Sequence, residues 1–249
     1  MYVNRTYRDT LGNKDLKNFR VTVRETDLQI SIDHNSYSPA IEKKVEDLIL
    51  LLRYDLERYI DLDPDFKTTL KPHALALGAP LIALTMAQAA NTAGVGPMAA
   101  VAGAFAEYVG RSLLKICKEV IVENGGDIFI ASTEKRLVAV FAGESLFSNR
   151  LAIEIPPDRT PLGVCTSSGT VGPSLSLGKA DAAVIISHST ALADAAASAA
   201  GNVVQSAGDV KKGIEAARNI PGVLGALVIK EDRLAVWGDF KIIPISSGK

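Results

Sequence analysis

The sequence predicts an α+β protein of 249 residues, built from two units of the plan ββααββ that share one layered core. Three observations lead there. A stretch with period-two alternation of apolar and polar residues stands near the start of the chain, and two strand-like runs joined by a charged turn stand near its end. Between them lie helical segments rich in alanine and glycine, whose small side chains let a helix approach a sheet closely. The order strands, helices, hairpin occurs twice, over about residues 1–145 and 146–249, as a repeat of elements and not of letters. One domain of two pseudo-repeats is the expectation.

Phe19 to Asp33 alternates on both sides of Glu25-Thr26-Asp27, a hairpin signal. Ser38-Pro39 supplies a cap and a first-turn proline. The helix that follows carries apolar residues at Ile41, Val45, Leu48, Leu51 and Leu52 and stops near Asp61, before the breaker Asp63-Pro64-Asp65. Ala74 to Cys117 reads as a helical pair interrupted at Gly94-Val95-Gly96-Pro97. Val120–Val122, Asp127–Ser132 and Leu137–Phe141 read as strands. In the second half, Leu151–Ile155, Leu162–Cys165 and Ala182–Ser187 are strands, followed by helices over about 190–206 and 208–218. Leu224–Lys230 and Leu234–Gly238 close the chain around the charged turn Glu231-Asp232-Arg233.

A net charge of −1 offers no electrostatic footprint for nucleic acid or an acidic membrane surface. The apolar stretch from Ala74 to Ala106 is broken by Pro80, Gln88, Asn91, Gly94, Gly96 and Pro97. A membrane span needs about 20 consecutive apolar residues, so a buried helical pair is expected instead. The N-terminus shows no apolar export segment and no lipid-attachment cysteine, and a cytoplasmic location is expected. Two cysteines are too few for a disulfide framework. The three histidines, His34, His73 and His188, share no zinc-like spacing.

Gly163 to Asp181 packs six Ser/Thr hydroxyls, four glycines and Cys165 into one connector hung between two apolar strands. Hydroxyl donors, bare N–H groups and little bulk suit a phosphate-bearing ligand, here through Thr166, Ser167, Ser168, Gly169, Thr170, Ser174 and Ser176. A long solvated loop has the same composition. Asn124-Gly125-Gly126-Asp127 reads equally as a tight turn or as a place where a ligand touches the backbone. Asp194 and Ser198 lie four apart on an alanine-rich helix and present two oxygens in one direction, suited to a hard cation such as Mg²⁺. Asp181 is a candidate base. Cys165, at a loop edge beside many N–H donors, is a candidate nucleophile or sulfur carrier, with a buried small hydrophobe as the plain alternative. Cys117 reads as structural.

The chain resembles the ApbE superfamily of FAD:protein FMN transferases, through a cytoplasmic sister family and not the transferases proper. Residues 100–128, AVAGAFAEYVGRSLLKICKEVIVENGGDI, are similar to that family's helix–strand–Gly-Gly-Asp segment. VCTSSGT (164–170) is similar to its Thr-Ser-Gly turn, and VIISHSTALADAAASA (184–199) to its final strand and metal-binding helix. The resemblance implies a duplicated, T-fold-like antiparallel sheet with helices packed on one face. It places Asp194 and Ser198 on the family's magnesium-binding Asp and Thr. It also implies FAD or FMN as the ligand, with an acceptor protein if FMN is transferred. Two departures stand out: Gly103 occupies the position of the transferases' lysine, and Tyr108 that of an aspartate. The Ser-His-Ile-Ile-Asp-Pro run is replaced by GPSLSLGKAD (172–181).

Three functions therefore follow as expectations. The first is a pocket for a flavin or related phosphate-bearing ligand with Mg²⁺, extending to FMN transfer. The second is sulfur or acyl transfer on Cys165. The third is a non-catalytic scaffold. The sequence gives no oligomeric state, although exposed edge strands on such sheets commonly pair in homodimers.

Overall fold

The computed structural model describes residues 15–171 and 176–245. The hairpin of β1 (Lys17–Val23) and β2 (Thr26–Ile32) leads into α1 (Pro39–Leu62), then the short α2 (Asp65–Thr68), α3 (Leu81–Ala93) and α4 (Val101–Leu113). Strands β3 (Val120–Asn124), β4 (Asp127–Ala131), β5 (Arg136–Ala139), β6 (Leu151–Ile155), β7 (Leu162–Ser167) and β8 (Ala182–Ser187) follow. The chain closes with α5 (Thr190–Asn202), α6 (Val210–Arg218), β9 (Val223–Lys230), β10 (Arg233–Gly238) and β11 (Lys241–Pro244).

Eight strands form one antiparallel sheet in the order β1-β2-β3-β4-β7-β8-β9-β10. The first four and the last four are each two hairpins separated by helices, and the two sets meet where β4 pairs with β7. Alternation decides the layers. Val120, Val122 and Phe129 turn to the helices, whereas Ile121 and Ile130 turn the other way. That second face packs on a three-stranded sheet, β11-β6-β5, through Ile153 and Ile155. The molecule is thus helices, large sheet, small sheet, with all the major helices on one face as expected.

Several expectations need correction. Ala74 to Pro80 is not helical: Pro80 precedes α3 and lacks the N–H that a helix would require there. The first strand of the second half, β6, leaves the large sheet and pairs with β5. The terminal β11 and the single-turn α2 were not foreseen, being too short to show a period. Helix α5 stops at Asn202, four residues early. On α1, Leu51, one of the apolar residues of the sequence pattern, is 55% exposed, while Ile49, Leu56 and Tyr59 join Ile41, Val45 and Leu52 on the buried face.

Strand β7 is pressed against α5. A Cβ placed on Gly163 would lie 2.5 Å from Thr190 Cα, so only glycine lets helix and sheet meet at this spacing. Gly163→Ala should lower stability by about 1–3 kcal/mol through overpacking, read as a lower denaturation midpoint in guanidinium. An unchanged midpoint would show that α5 yields freely.

Candidate functional site

Two helices that begin beside each other define the site. The N-terminus of α4 leaves orphan backbone N–H groups, and its own preceding residues supply no side-chain cap. The acceptor comes from α5: Asp194 Oδ2 takes a hydrogen bond from Gly103 N–H at 2.8 Å. The relation is reciprocal. Glu107 of α4 accepts from Thr190 N–H at 2.7 Å, Ala191 N–H at 3.2 Å and Ser189 Oγ at 3.1 Å, at the N-terminus of α5. Each helix therefore carries the carboxylate that satisfies the other's N-terminus.

This exchange requires close contact. A Cβ on Gly103 would lie 2.4 Å from Thr190 O and 2.7 Å from Asp194 Cβ. A lysine at this position does not fit unless α5 moves away. Tyr108, at the position of the transferases' aspartate, instead meets the Thr85 hydroxyl at 3.0 Å.

Strands β3, β4 and β7 bring the remaining groups to the same place. Asn124 and Asp127 pair at the end of the β3–β4 hairpin, with Gly125 and Gly126 as the positive-φ turn. Asn124 Nδ2 donates to Ala102 O at 3.1 Å, tying this turn to the start of α4. Asp127 stands opposite Cys165 in the β4–β7 ladder. Its Oδ1 is buried without a hydrogen-bond partner. Burial, and then the Asp194 carboxylate facing it, push the Asp127 pKa well above the usual carboxylate range. The Cys165 thiol and Thr166 N–H only partly offset this. Burial also pushes Asp194 up to about 7 against the lowering effect of the Gly103 and Ala102 N–H groups. Two crowded carboxylates share a region with too few donors.

Cys165 differs from its expected character. It lies within β7 and not at a loop edge, is 0% exposed, and its thiol donates to Thr190 O at 3.3 Å. Burial, followed by the charges of Asp127 and Asp194, raises its pKa well above the usual thiol value. The lowered pKa that nucleophilic or sulfur-carrier chemistry needs is the opposite of this environment.

The hydroxyl-rich loop is strapped to itself. Ser168 Oγ accepts from Thr170 N–H and Val171 N–H, at 3.1 and 3.0 Å. The Thr170 hydroxyl donates to Asp181 Oδ1 at 3.1 Å, and Ser176 Oγ accepts from Gly178 N–H at 3.3 Å. Gly169 N–H bonds to Ala180 O at 2.8 Å, while Gly178 sits where a Cβ would lie 1.9 Å from Gly201 O. Ser174 falls outside the described residues. Asp181 is occupied at the start of β8 by Lys230 Nζ at 3.2 Å and Glu231 N–H at 2.6 Å, at the far end of that strand from the α5 N-terminus. Thr166 is placed nearer the carboxylates, its N–H directed to Asp127, and Ser167 is not. The Thr166 carbonyl lies beside Gly126, and Ser167 faces Gly201 on α5.

Of the residues expected from sequence, the structure brings Asn124, Asp127, Cys165 and Asp194 together, beside Gly103; Glu107, Ala102 and Thr190 join them without having been singled out. Glu107 had a signal. It is the lone acid in the alanine-rich α4, as Asp194 is in α5. Among the described residues, no group of three or more His, Cys, Asp or Glu side chains is disposed to hold a metal ion. No described helix is long and apolar enough to cross a membrane.

The architecture defines the class: an α+β protein with the fold of the ApbE flavin transferases. The flavinyl transferase ApbE of Pseudomonas stutzeri superposes with a TM-score of 0.57 at 13% identity, over 92% of this chain and 94% of that one. The ApbE protein of Thermotoga maritima superposes with a TM-score of 0.58 at 12% identity, over 90% and 96%. At such identities the likeness concerns the fold alone. In sequence, a UPF0280 protein of Methanosarcina barkeri is 40% identical over 218 residues, 87% of this chain and 84% of the relative. A second, from Methanothrix thermoacetophila, is 45% identical over 189 residues, 75% and 79%. The family profile described as AbpE bacteria matches residues 8–222, and the chain belongs to that family.

Two measurements check this electrostatic picture. Glu107→Ala should cost about 2–3 kcal/mol, since it strands two helix N–H groups and a hydroxyl, and Glu107→Gln should cost less. The second concerns pH. An unfolded aspartate titrates near 3.9, whereas folded Asp194 titrates at about 7. Between these values the folded chain holds a proton that the unfolded chain has released, so stability falls as pH rises through the interval and levels off above it. Asp127 adds in the same direction. Denaturant midpoints in chelator from pH 5 to 8 should show this fall, and Asp194→Asn should flatten it.

Proposed function

We propose that this chain binds a phosphate-bearing ligand, a flavin nucleotide of the FAD or FMN type, together with a divalent cation at Asp194, Ser198 and Asp127. The observation that carries the reading is the orphaned Oδ1 of Asp127, buried against the Asp194 carboxylate. A buried carboxylate without a donor is costly, and a hard cation between two such groups removes both the repulsion and the missing partner. The donor set, two carboxylates and the Ser198 hydroxyl one turn further along α5, is all oxygen and suits Mg²⁺. When bound, Mg²⁺ supplies charge neutralisation to a phosphate or pyrophosphate.

The other tasks fall to the chain. Gly103 and Ala102 N–H groups hold the Asp194 carboxylate in one orientation. Asn124 anchors the Gly125–Gly126 turn to α4, leaving backbone without side chains beside the carboxylates. Thr166 borders that turn, and we assign phosphate contacts to it and to the neighbouring Ser167 ahead of Ser168, Thr170 and Ser176, whose hydroxyls are engaged within the loop. Cys165 is assigned a packing role, and Asp181 the role of anchoring the β9–β10 turn through Lys230. The flavin class is supported by the names of the solved structures that share the fold. Transfer of FMN to an acceptor protein is the reaction to test once binding is established.

Calorimetric titration with FAD, with and without Mg²⁺, tests the reading. Tight binding should require the cation, and Asp194→Asn or Asp127→Asn should weaken it by about tenfold or more, in line with loss of one metal ligand. Asp127→Asn should at the same time stabilise the metal-free protein at pH values where wild-type Asp127 has to ionise beside Asp194, because the amide carries no charge to bury. Absence of FAD binding at tens of micromolar with Mg²⁺ present would overturn the flavin assignment. Mn²⁺ binding followed alone by electron paramagnetic resonance separates loss of the cation site from loss of the ligand. Equal binding of a protein partner by Asp194→Ala would favour the scaffold reading instead.

A further inference from the structure

The outward stripe of α1 is built like half of a two-fold interface. Lys44, Asp47, Leu51, Tyr54, Arg58 and Asp61 are all exposed and follow one another at spacings of three, four, three, four and three residues. That is the spacing of a seam along which two helices pack side by side. The middle of the stripe is apolar: Leu51 is 55% and Tyr54 57% exposed, with Leu50 beside them at 47%. Scattered single apolar residues on a surface mean little, but three adjoining large ones on one helix face mark a contact site.

Charge order identifies the occupant. In an antiparallel pairing of two α1 helices about a dyad midway between Leu51 and Tyr54, Leu51 of each copy meets Tyr54 of the other. The same dyad sets Asp47 against Arg58 and Lys44 against Asp61. One operator thus turns every charged residue of the stripe toward an opposite charge and every apolar one toward an apolar one. A parallel pairing would set like on like at each position. Lys44 to Asp61 spans about 26 Å at 1.5 Å per residue, long enough for a continuous helix–helix seam. Among the described residues of one chain, Asp47 is held by exposed Lys43 at 2.8 Å, a surface pair of the kind that contributes little and exchanges readily. Arg58 lies over the Tyr54 ring at 5.5 Å, which orients both along the stripe.

We infer that a second copy of this chain docks on α1, forming an isologous dimer through antiparallel α1 helices. The edge strands β1 and β10 are not needed for it. The assembly is independent of the flavin reading, and its test requires no ligand.

Sedimentation velocity of the full chain at about 1 to about 200 μM, bracketing micromolar affinity, should show a dimer at the upper end. Arg58→Asp places aspartate against Asp47 twice per interface and should weaken the dimer about tenfold or more. The charge swap Asp47→Arg with Arg58→Asp should restore it. The thermal midpoint of Arg58→Asp at the dilute end should match that of wild type, since Arg58 is exposed. A wild-type monomer throughout, a dimer indifferent to Arg58→Asp, or loss that the swap does not rescue would each overturn the inference.

Discussion

The reciprocal capping of α4 and α5 is the constraint on which the rest depends. Asp194 reaches the N-terminus of α4 and Glu107 reaches that of α5 only because the helices touch at Gly103 and Thr190. Contact at that distance dictates glycine on α4, and the same crowding against the sheet dictates glycine at position 163. It also brings the start of α4 to the β3–β4 turn, where Asn124 ties the two together. Cap, turn and strand pairing are therefore consequences of one helix–helix approach.

That approach sets the half-buried Asp194 carboxylate against the buried Asp127. Asp194 receives helix N–H donors and remains raised to about 7, while Asp127 has an oxygen with no donor at all. A fold optimised for stability alone would place an apolar residue or an amide there. The carboxyl oxygen without a donor is what separates this corner from the other buried ion clusters. In the Arg136–Glu119 cluster, for example, each charge has an opposite partner, with Arg136 Nη2 at 2.7 Å from Glu119 and Nη1 at 2.7 Å from Asp15.

The glycine- and hydroxyl-rich loop teaches a different lesson. Its composition resembles a phosphate cradle, yet Ser168, Thr170 and Ser176 bond within the loop or to Asp181, and Gly178 is dictated by the backbone of Gly201. Such a connector must cross from β7 to β8 while lying on the end of α5, and small residues satisfy its backbone locally. Composition alone does not distinguish hydroxyls turned inward from hydroxyls offered to a ligand.

Local pattern sufficed for most of the elements. Period-two alternation located β1 and β2, and apolar runs located β8 and β9, within a residue or two, since each buries one or both faces in a layered core. The Ser38-Pro39 start and the Asp63-Pro64 stop bounded α1 for reasons of backbone chemistry that hold in any context. Alanine-rich segments with a single acid pointed to Asp194, and Asn-Gly-Gly-Asp to Asp127. What no local pattern contains is distance across the chain. Gly103 and Thr190 are remote in sequence, so the exchange of caps, the facing of Asp127 and Asp194 and the burial of Cys165 arose only when α5 was laid over β7. Leu51 faces outward for the same reason: the helical period fits several faces of α1, and the sheet beneath it chose which one to cover.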